Sequence, residues 1–229
     1  MIVFCQTGKT KKGRSQHNGR MLRPPPNGAI LLRIINLTLD SQIYTSNVYF
    51  LLGDWKGIDD VNALIDVGRD PLIIEKIQKL DTGVGKKKVE KVVLTHGHYD
   101  HVSLLPAIKD EFDPEVYAFH SFDGVSHALR DGQTLKLADR LFEVIHTPGH
   151  TSDSICLYCE QEAVIFSGDT SLIIPTTNGS YQEEFISALE RIARRNITAI
   201  YPGHGPPITD SVKHLIYISL DNVRKGRIF

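Results

Sequence analysis

Apolar and polar positions follow two different periods along the chain from residue 29 onward. Short runs rich in β-branched and aromatic residues predict strands, and longer runs with apolar residues at helical spacing predict helices. The strand-like runs are 29–39, 47–53, 61–68, 89–96, 114–120, 153–160, 163–169 and 197–205, with a hairpin over 130–150. The helix-like runs are 70–80, 102–112, 181–196 and 211–229. Grouped strands with helices between them predict two sheets packed together and covered by helices, rather than one alternating parallel sheet.

Residues 1–28 break this pattern. They contain no Asp or Glu, carry several Lys and Arg, and end in a Pro-Pro-Pro-Asn-Gly breaker. We therefore divide the chain into a basic, flexible tail over 1–28 and one folded domain over 29–229, and favour a solvated tail over a nucleic-acid-binding arm. Met21 stands just before the folded pattern, and we hypothesise that translation starts there.

Composition narrows the function classes. The 229 residues carry a net charge of −1, so charge alone gives no argument for a nucleic-acid or membrane partner. No apolar run approaches the ~18 residues of a membrane span. Three cysteines, an odd number, argue against a disulfide framework and favour a reducing compartment, the cytoplasm. Cys156 and Cys159 form a C-x-x-C on a predicted strand, where residues three apart face opposite ways, so we interpret them as packing residues rather than a zinc knuckle.

Candidate chemistry lies at four places where an apolar strand is followed at once by His or Asp with Gly nearby. These are "VVLTHGHYDH", "VIHTPGH", "IFSGD" and "AIYPGHG". Strand ends on one edge of a scaffold hold ligands well because the strands fix their positions. The side chains so placed are His96, His98, Asp100, His101, His150, Asp169 and His204.

These seven groups predict a metal centre. Imidazole and carboxylate suit zinc, and also iron or manganese. One structural metal needs fewer ligands, so the seven divide into two sets with one shared carboxylate, which is typical of a two-metal hydrolytic centre. The alternative is a set of core histidines with satisfied hydrogen bonds. A comparison within the sequence argues against it, because none of the other five histidines combines the strand–turn–Gly setting with a neighbouring ligand type. Those five are His17, His120, His127, His146 and His214.

"THGHYDH", "TPGHT", "SGDT" and "YPGHG", in that order, resemble the metallo-β-lactamase superfamily over residues 30–229. The resemblance implies an α/β fold, a four-layer αββα sandwich with the metals at one edge between the sheets. It implies that Asp169 bridges two divalent metal ions, zinc in the first instance. It also implies that Asp66, in "LIDVG", supports the histidine loop without being a ligand. The first metal would be held by His96, His98 and His150, and the second by Asp100, His101 and His204.

The implied activity is hydrolysis, with Asp100 and Asp169 as the catalytic carboxylates of the centre. Two divalent cations sharing a water lower its pKa from ~15.7 to near 7, which gives hydroxide at neutral pH for attack on a carbonyl or phosphoryl centre. The metals then stabilise the developing oxyanion. No Ser or Cys nucleophile is needed in this scheme.

Three substrate readings stay open. The first is a thioester, because motif order and loop lengths resemble the glyoxalase II branch, the hydroxyacylglutathione hydrolases. That branch carries a helical extension for glutathione, whereas this sequence has about 25 residues after His204, so another acyl thioester is also considered. The motifs depart from those of true lactamases, of the nucleic-acid-processing β-CASP branch and of the flavodiiron branch.

The second reading is RNA. "FEVIHTPGHTSDSICLY" and "AIYPGHGPPI" resemble the β-lactamase-like protein 2 branch, which includes a single-strand endoribonuclease and acyl-carrier thioesterases. Arg224, Lys225 and Arg227 would then meet phosphates, although a helix end is often basic for dipole reasons alone, the reading we favour. The third and least favoured reading is a mononuclear-iron persulfide dioxygenase, because its Gly-Arg stretch is not apparent after Asp169. A small molecule or acyl thioester is thus the expected partner, with RNA as the alternative and no membrane; the oligomeric state is left open.

Overall fold

The computed structural model of the chain describes residues 32–53 and 57–228. The predicted tail over 1–28 and the hypothesis about Met21 lie outside the described residues. Five helices are described: α1 Leu72–Lys79, α2 Tyr99–Val102, α3 Leu105–Phe112, α4 Glu183–Ala193 and α5 Val212–Lys225. The strands are β1 Arg33–Asn36, β2 Tyr49–Leu52, β3 Ala63–Ile65, β4 Lys91–Val93, β5 Glu115–Ala118, β6 His127–Ala128, β7 Thr134–Leu137, β8 Arg140–His146, β9 Ile155–Cys159, β10 Val164–Gly168, β11 Ser180–Tyr181, β12 Ala199–Pro202 and β13 Arg227–Ile228.

The strands form two main sheets and one short ribbon. The first sheet has the order β1-β2-β3-β4-β5-β6, with β1 to β3 antiparallel and β3 to β6 parallel. The second has the order β12-β10-β9-β8-β7, antiparallel except where β10 pairs with β12. In the ribbon, β11 pairs in parallel with β13.

The central strands β2, β3, β9 and β10 are buried on both faces, which explains why they read as continuous apolar runs, whereas the edge strands β1, β6 and β7 are partly exposed. Successive side chains of a strand point to opposite faces. In β2, Tyr49 and Leu51 therefore enter the core between the sheets, where they join Phe142 and Phe166 of the second sheet. Phe50 of the same strand faces the other way, toward the helices.

Helices cover the two outer faces. Ile73 and Ile77 of α1 pack with Ile108 of α3 on the first sheet. On the second sheet, Leu189 of α4 packs with Leu220 of α5. The result is four layers, helices–sheet–sheet–helices, as the sequence predicts.

The predicted helix over 102–112 is wrong at its start, because the structure has two helices there. A continuous helix would need a hydrogen bond from the backbone N–H of Pro106 to Val102, and proline has no N–H. Beginning α3 at Leu105 puts Pro106 in the first turn, where that donor is not needed. The preceding helix, α2, lies within the histidine motif itself and contains Asp100 and His101.

The predicted helix over 181–196 is too long at both ends, because α4 spans only Glu183–Ala193, and the predicted helix over 211–229 is too long at its C-terminal end. Residue Tyr181 belongs to β11, and α4 begins only at Glu183. Helix α5 ends at Lys225, and Gly226 passes the chain into β13, which pairs with β11. At the start of α4 and at the end of α5, the structure that replaces the helix is thus the same ribbon, formed by residues far apart in sequence.

The two cysteines of the C-x-x-C motif lie on opposite faces of β9. Cys159 is part of the core between the sheets, whereas Cys156 faces α4 and α5. Burial raises the pKa of the Cys156 thiol to about 11, so this thiol stays protonated at neutral pH. Packing, rather than shared metal binding, accounts for both residues.

Among residues 32–53 and 57–228, the protein has no helix of the length and apolar character that a membrane crossing requires.

Replacing both cysteines by alanine should leave the metal content per chain unchanged, because neither thiol reaches a metal. We expect the free energy of unfolding to fall by about 1–3 kcal/mol, the range of most core substitutions. Elemental analysis of purified protein and chemical denaturation measure the two quantities. A loss of one metal equivalent in the double variant would contradict the packing assignment.

Candidate metal centre

The candidate centre lies where β4, β8, β10 and β12 end at one edge of the sandwich. The loop after β4 brings His96 and His98, and its continuation into α2 adds Asp100 and His101. The loop after β8 carries His150. Asp169 follows directly on β10, and His204 follows β12 by two residues. The structure thus brings all seven predicted side chains to one place.

The ligand atoms fall into two groups, each with its atoms within 4.8 Å of one another. One group is His96, His98, His150 and Asp169; the other is Asp100, His101 and His204. In the first, His150 Nε2 lies 2.9 Å from His98 Nδ1. In the second, His204 Nε2 lies 3.0 Å from Asp100 Oδ2.

Asp169 lies between the two groups. Its Oδ1 is 3.3 Å from His101 Nε2, in the second group. Its Oδ2 is 3.5 Å from His150 Nε2 and 3.6 Å from His204 Nε2, one from each group. This carboxylate is therefore within reach of a cation in either position.

Several polar atoms at this point are buried and make no hydrogen bond to the described residues. They are Nε2 of His96, His101 and His204, and Oδ1 of Asp169. Leaving one buried polar group unpaired costs free energy of order 1–3 kcal/mol, so native proteins rarely do it without a reason. Four such atoms converge on one place. They fit a site for divalent cations, because imidazole nitrogens and carboxylate oxygens are the usual ligands of such ions.

Asp66 supports the histidine loop that follows β4. It follows β3, is buried, and has a left-handed backbone with φ of 58°. Its Oδ2 lies 2.8 Å from His101 Nδ1, and its Oδ1 accepts a hydrogen bond of 2.8 Å from the Thr95 backbone N–H. When His101 donates from Nδ1, its Nε2 is left to face Asp169. Such a carboxylate–histidine contact fixes both tautomer and ring orientation.

Sequence reasoning missed Thr95. Its hydroxyl contacts Asp66 Oδ2 at 2.9 Å and His96 Nδ1 at 3.2 Å, which links the supporting carboxylate to two histidines. The residue is buried and lies directly before the first histidine. A threonine at a strand end is too common a pattern to reveal this role without the structure.

Burial and nearby charges shift the pKa values of two histidines of the centre in opposite directions. Burial lowers the pKa of His96 to about 4, and the charge of His101 acts in the same direction. Burial also opposes protonation of His101, but the carboxylates of Asp66 and Asp169 outweigh it and raise its pKa to about 10. Burial opposes ionisation of Asp169, whereas the close contact with His101 and its positive charge outweigh burial and lower the pKa of Asp169 to about 2. Because metal ligands must be deprotonated, a cation entering beside His101 displaces its proton.

Two glycines of the motifs are required by close approach. A Cβ on Gly203 would collide with Asp169 Oδ1 and lie 2.8 Å from His101 Cε1. Gly168 has φ of 49°, and a Cβ there would lie 2.5 Å from Thr95 Oγ1. Both positions bring the backbone against the carboxylate or its support, where a side chain has no room.

An apolar cleft opens beside the first group. Its volume is about 400 Å³, and it reaches His150 and Asp169. The apolar part of its wall consists of Ile173, Ile174, Pro175, Tyr181 and Phe185. None of these residues belongs to a motif, so their common position could not be recognised before the fold was known.

An aromatic residue flanks the second group. The ring of Tyr44 stacks on His204, with centroids 5.4 Å apart and planes at 15°. The negative charge of Asp100 raises the pKa of the exposed Tyr44 hydroxyl. Tyr44 also was not predicted as a site residue.

Comparison with known families gives one match over most of the described chain. Residues 44–204 match the model of the metallo-β-lactamase superfamily. A solved structure of the B3 metallo-β-lactamase BLEG-1 superposes with a TM-score of 0.58 at 22% sequence identity, covering 82% of this chain and all of that one. At that identity the superposition speaks for the fold alone.

Two curated relatives are similar over nearly three quarters of the chain. A β-lactamase-like protein 2 homologue of Caenorhabditis elegans is 34% identical over 185 residues, which are 73% of this chain and 58% of that protein. An atrochrysone carboxyl ACP thioesterase of Aspergillus fumigatus is 31% identical over 173 residues, which are 73% of this chain and 53% of that protein. The chain thus spans little more than half the length of these relatives.

Substituting Gly203 by alanine should displace the Asp169 carboxylate and weaken metal binding about 10-fold or more, as loss of a well-placed partner of a ligand does. Competition with a chromogenic chelator measures the affinity. Gly57→Ala is the control, because Gly57 has no left-handed backbone and an added Cβ there meets no atom closer than 3.5 Å. Equal metal affinity in the two variants would show that the contact with Asp169 does not matter.

Asp66→Asn should keep the shape of the support but lose its charge toward His101. We expect metal affinity to fall by about 10-fold to 100-fold, the usual effect of removing such a partner. The same chelator competition serves here, with circular dichroism to verify folding. Unchanged affinity in a folded variant contradicts the supporting role.

Proposed function

This chain belongs to the metallo-β-lactamase superfamily, and from that premise we propose that it hydrolyses thioesters with two divalent metal ions, zinc in the first instance. Membership of the superfamily and the name of a relative, an ACP thioesterase, support a metal-dependent hydrolase. The number of ions, the metal and the substrate are the proposal. One observation carries it: the carboxylate of Asp169 lies within 3.6 Å of histidine nitrogens from both ligand groups.

In the proposed arrangement Asp169 is shared between the two positions. The first position takes His96, His98 and His150, and the second takes Asp100, His101 and His204. When bound, divalent cations at such ligands lower the pKa of water to near 7 and polarise a carbonyl, which supplies hydrolytic chemistry at neutral pH. Asp66 and Thr95 keep the histidine loop in place during this reaction.

The protein's own residues position the substrate. The apolar cleft beside His150 and Asp169 takes the acyl group, because burying hydrocarbon there gains about 25 cal/mol per Å². No thiol of the described residues takes part in the reaction, since Cys156 and Cys159 are fully buried in the core. The scheme thus needs no covalent acyl–enzyme step.

A thioester fits the surroundings of the centre better than RNA does. Single-stranded RNA is bound by a positive groove that follows its backbone, whereas the lining of the cleft here contains neither Lys nor Arg. Two of the three basic residues that the RNA reading relied on are already paired: Arg224 with Glu190 at 2.6 Å and Lys225 with Asp221 at 2.5 Å. A relative of 31% identity named as an ACP thioesterase also supports the thioester. No feature of the described residues favours the persulfide dioxygenase reading.

Elemental analysis of the purified protein tests the number and kind of ions. We expect about two zinc per chain, and loss of thioester hydrolysis after removal of the metal by a strong chelator. One iron per chain, without thioester hydrolysis, would overturn the two-metal scheme and return the dioxygenase reading.

Asp169→Ala should lower both metal content and turnover, because it removes the carboxylate shared by the two positions. We expect kcat to fall by at least about 100-fold, as for loss of a group that stabilises the transition state directly. Asp110→Ala, an exposed carboxylate on α3, is the matched control and should change neither quantity. An Asp169→Ala variant with full metal content and activity would sink the assignment.

A paired assay separates the two substrate classes. We expect hydrolysis of a medium-chain acyl thioester, monitored by the release of free thiol. The same preparation should not cleave a fluorescent single-stranded RNA. RNA cleavage without thioester turnover would replace the proposed function by the endoribonuclease reading.

A further inference from the structure

The positively charged side chain of an arginine, Arg69, lies at the rim of the candidate centre, on the side away from the apolar cleft. Arg69 follows β3 by four residues and contacts two exposed aromatic residues, Tyr44 and Tyr99. We call these three residues the Arg69 rim. Neither the metal scheme nor the packing of the sheets gives this arginine a task.

The Arg69 guanidinium is held in place from two directions. Its Nη1 donates a hydrogen bond of 3.2 Å to the backbone carbonyl of Tyr44. Its Cζ lies 4.9 Å from the ring centroid of Tyr99, a cation–π contact. The Arg69 backbone N–H donates to Thr45 Oγ1 at 2.9 Å, which fixes the start of the side chain. Most of its five N–H donors are left for another partner.

No carboxylate neutralises this guanidinium within residues 32–53 and 57–228. The other half-buried arginines of those segments each form an ion pair, namely Arg140, Arg191 and Arg195. The arginines there without an ion pair are otherwise exposed to solvent, namely Arg33, Arg130, Arg194 and Arg227. Arg69 alone in the described segments is both half-buried and without an ion pair. A charge half removed from water in this way is stabilised by an anionic partner.

The Arg69 rim faces the second ligand group. Tyr44 stacks on His204, and Tyr99 stands between His98 and Asp100 in the histidine loop. The apolar cleft, in contrast, reaches His150 and Asp169. The two sides of the centre therefore differ in chemistry, one apolar and one aromatic with a fixed positive charge.

We propose that Arg69 binds an anionic group, a phosphate or a carboxylate, on the thiol side of the thioester, while the acyl group occupies the apolar cleft. This inference rests on the proposed function, because it assigns the two halves of a thioester to the two sides. A planar guanidinium with free donors suits bidentate binding of either anion. One cation between two tyrosines matches a single anionic group, whereas a nucleic-acid backbone is bound by several cations along a groove.

Matched thioester pairs test the proposal on the metal-loaded enzyme. S-hexanoyl-4′-phosphopantetheine is compared with S-hexanoyl-pantetheine, which lacks only the phosphate. S-hexanoyl-N-acetylcysteine is compared with its methyl ester, which lacks only the carboxylate charge. The two pairs distinguish the two sources of the anion, and each neutral partner reports any general damage to the site.

Arg69→Ala should lower kcat/KM for the preferred anionic thioester by about 10-fold to 100-fold, the range of a hydrogen bond between charged groups. The neutral partner should change by less than about 3-fold. Arg69→Lys should recover part of the loss, since it restores the charge without the planar fork. Arg194→Ala, an exposed arginine on the other side of the fold, should behave as wild type with every substrate.

The outcomes separate the two proposals. If wild type hydrolyses charged and neutral thioesters equally, and Arg69→Ala slows both by the same factor, the inference is wrong while thioester hydrolysis stands. If wild type hydrolyses no thioester but cleaves single-stranded RNA, the proposed function fails and the inference fails with it. Preference for one anionic partner, lost only in the Arg69 variants, supports both.

Discussion

The carboxylate of Asp66 is the interaction on which the arrangement of the centre depends. It accepts the backbone N–H of Thr95 and contacts Nδ1 of His101, so one buried group fixes the start and the end of the histidine loop. The cost of this arrangement is a left-handed backbone at a non-glycine residue, of order 1–3 kcal/mol. Such strain persists because buried β3, paired with β2 and β4, determines the position of Asp66 from both sides.

The charges of the centre follow from that anchor. With Asp66 behind it, His101 presents Nε2 toward Asp169, and the two carboxylates together hold the pKa of His101 at about 10. Asp169 in turn stays ionised, with a pKa of about 2. A buried cluster of this kind is costly unless its charges balance, and a cation beside Asp169 balances them as the proton on His101 does. Affinity for a cation is thus built into the burial and spacing of these groups.

Sequence reasoning found the features that local sequence patterns determine. It missed those that depend on contacts between residues far apart in sequence. The seven ligand candidates follow strand ends, and strand ends are visible as apolar runs, so their meeting at one edge could be predicted. Tyr44 and Arg69 follow no such pattern, because their roles depend on contacts with His204 and Tyr99 across the fold. The helix limits at Glu183 and Lys225 were missed for the same reason: β11 and β13 are strands only because they pair with each other.

That ribbon also shows how the C-terminal helix contributes to the site. Ser219 and Asn222 of α5 hold the backbone of Ile174, with the hydroxyl of Ser219 accepting its N–H at 2.7 Å and the amide of Asn222 donating to its carbonyl at 2.8 Å. Beyond the helix, β13 pairs with β11, which carries Tyr181. Ile174 and Tyr181 are both part of the apolar wall. The C-terminal end of α5 therefore shapes the cleft because it fixes the backbone of Ile174 and β11. Its basic residues Arg224 and Lys225 are engaged in ion pairs. Variation in this segment would reshape the apolar wall and leave the seven candidate ligands in place.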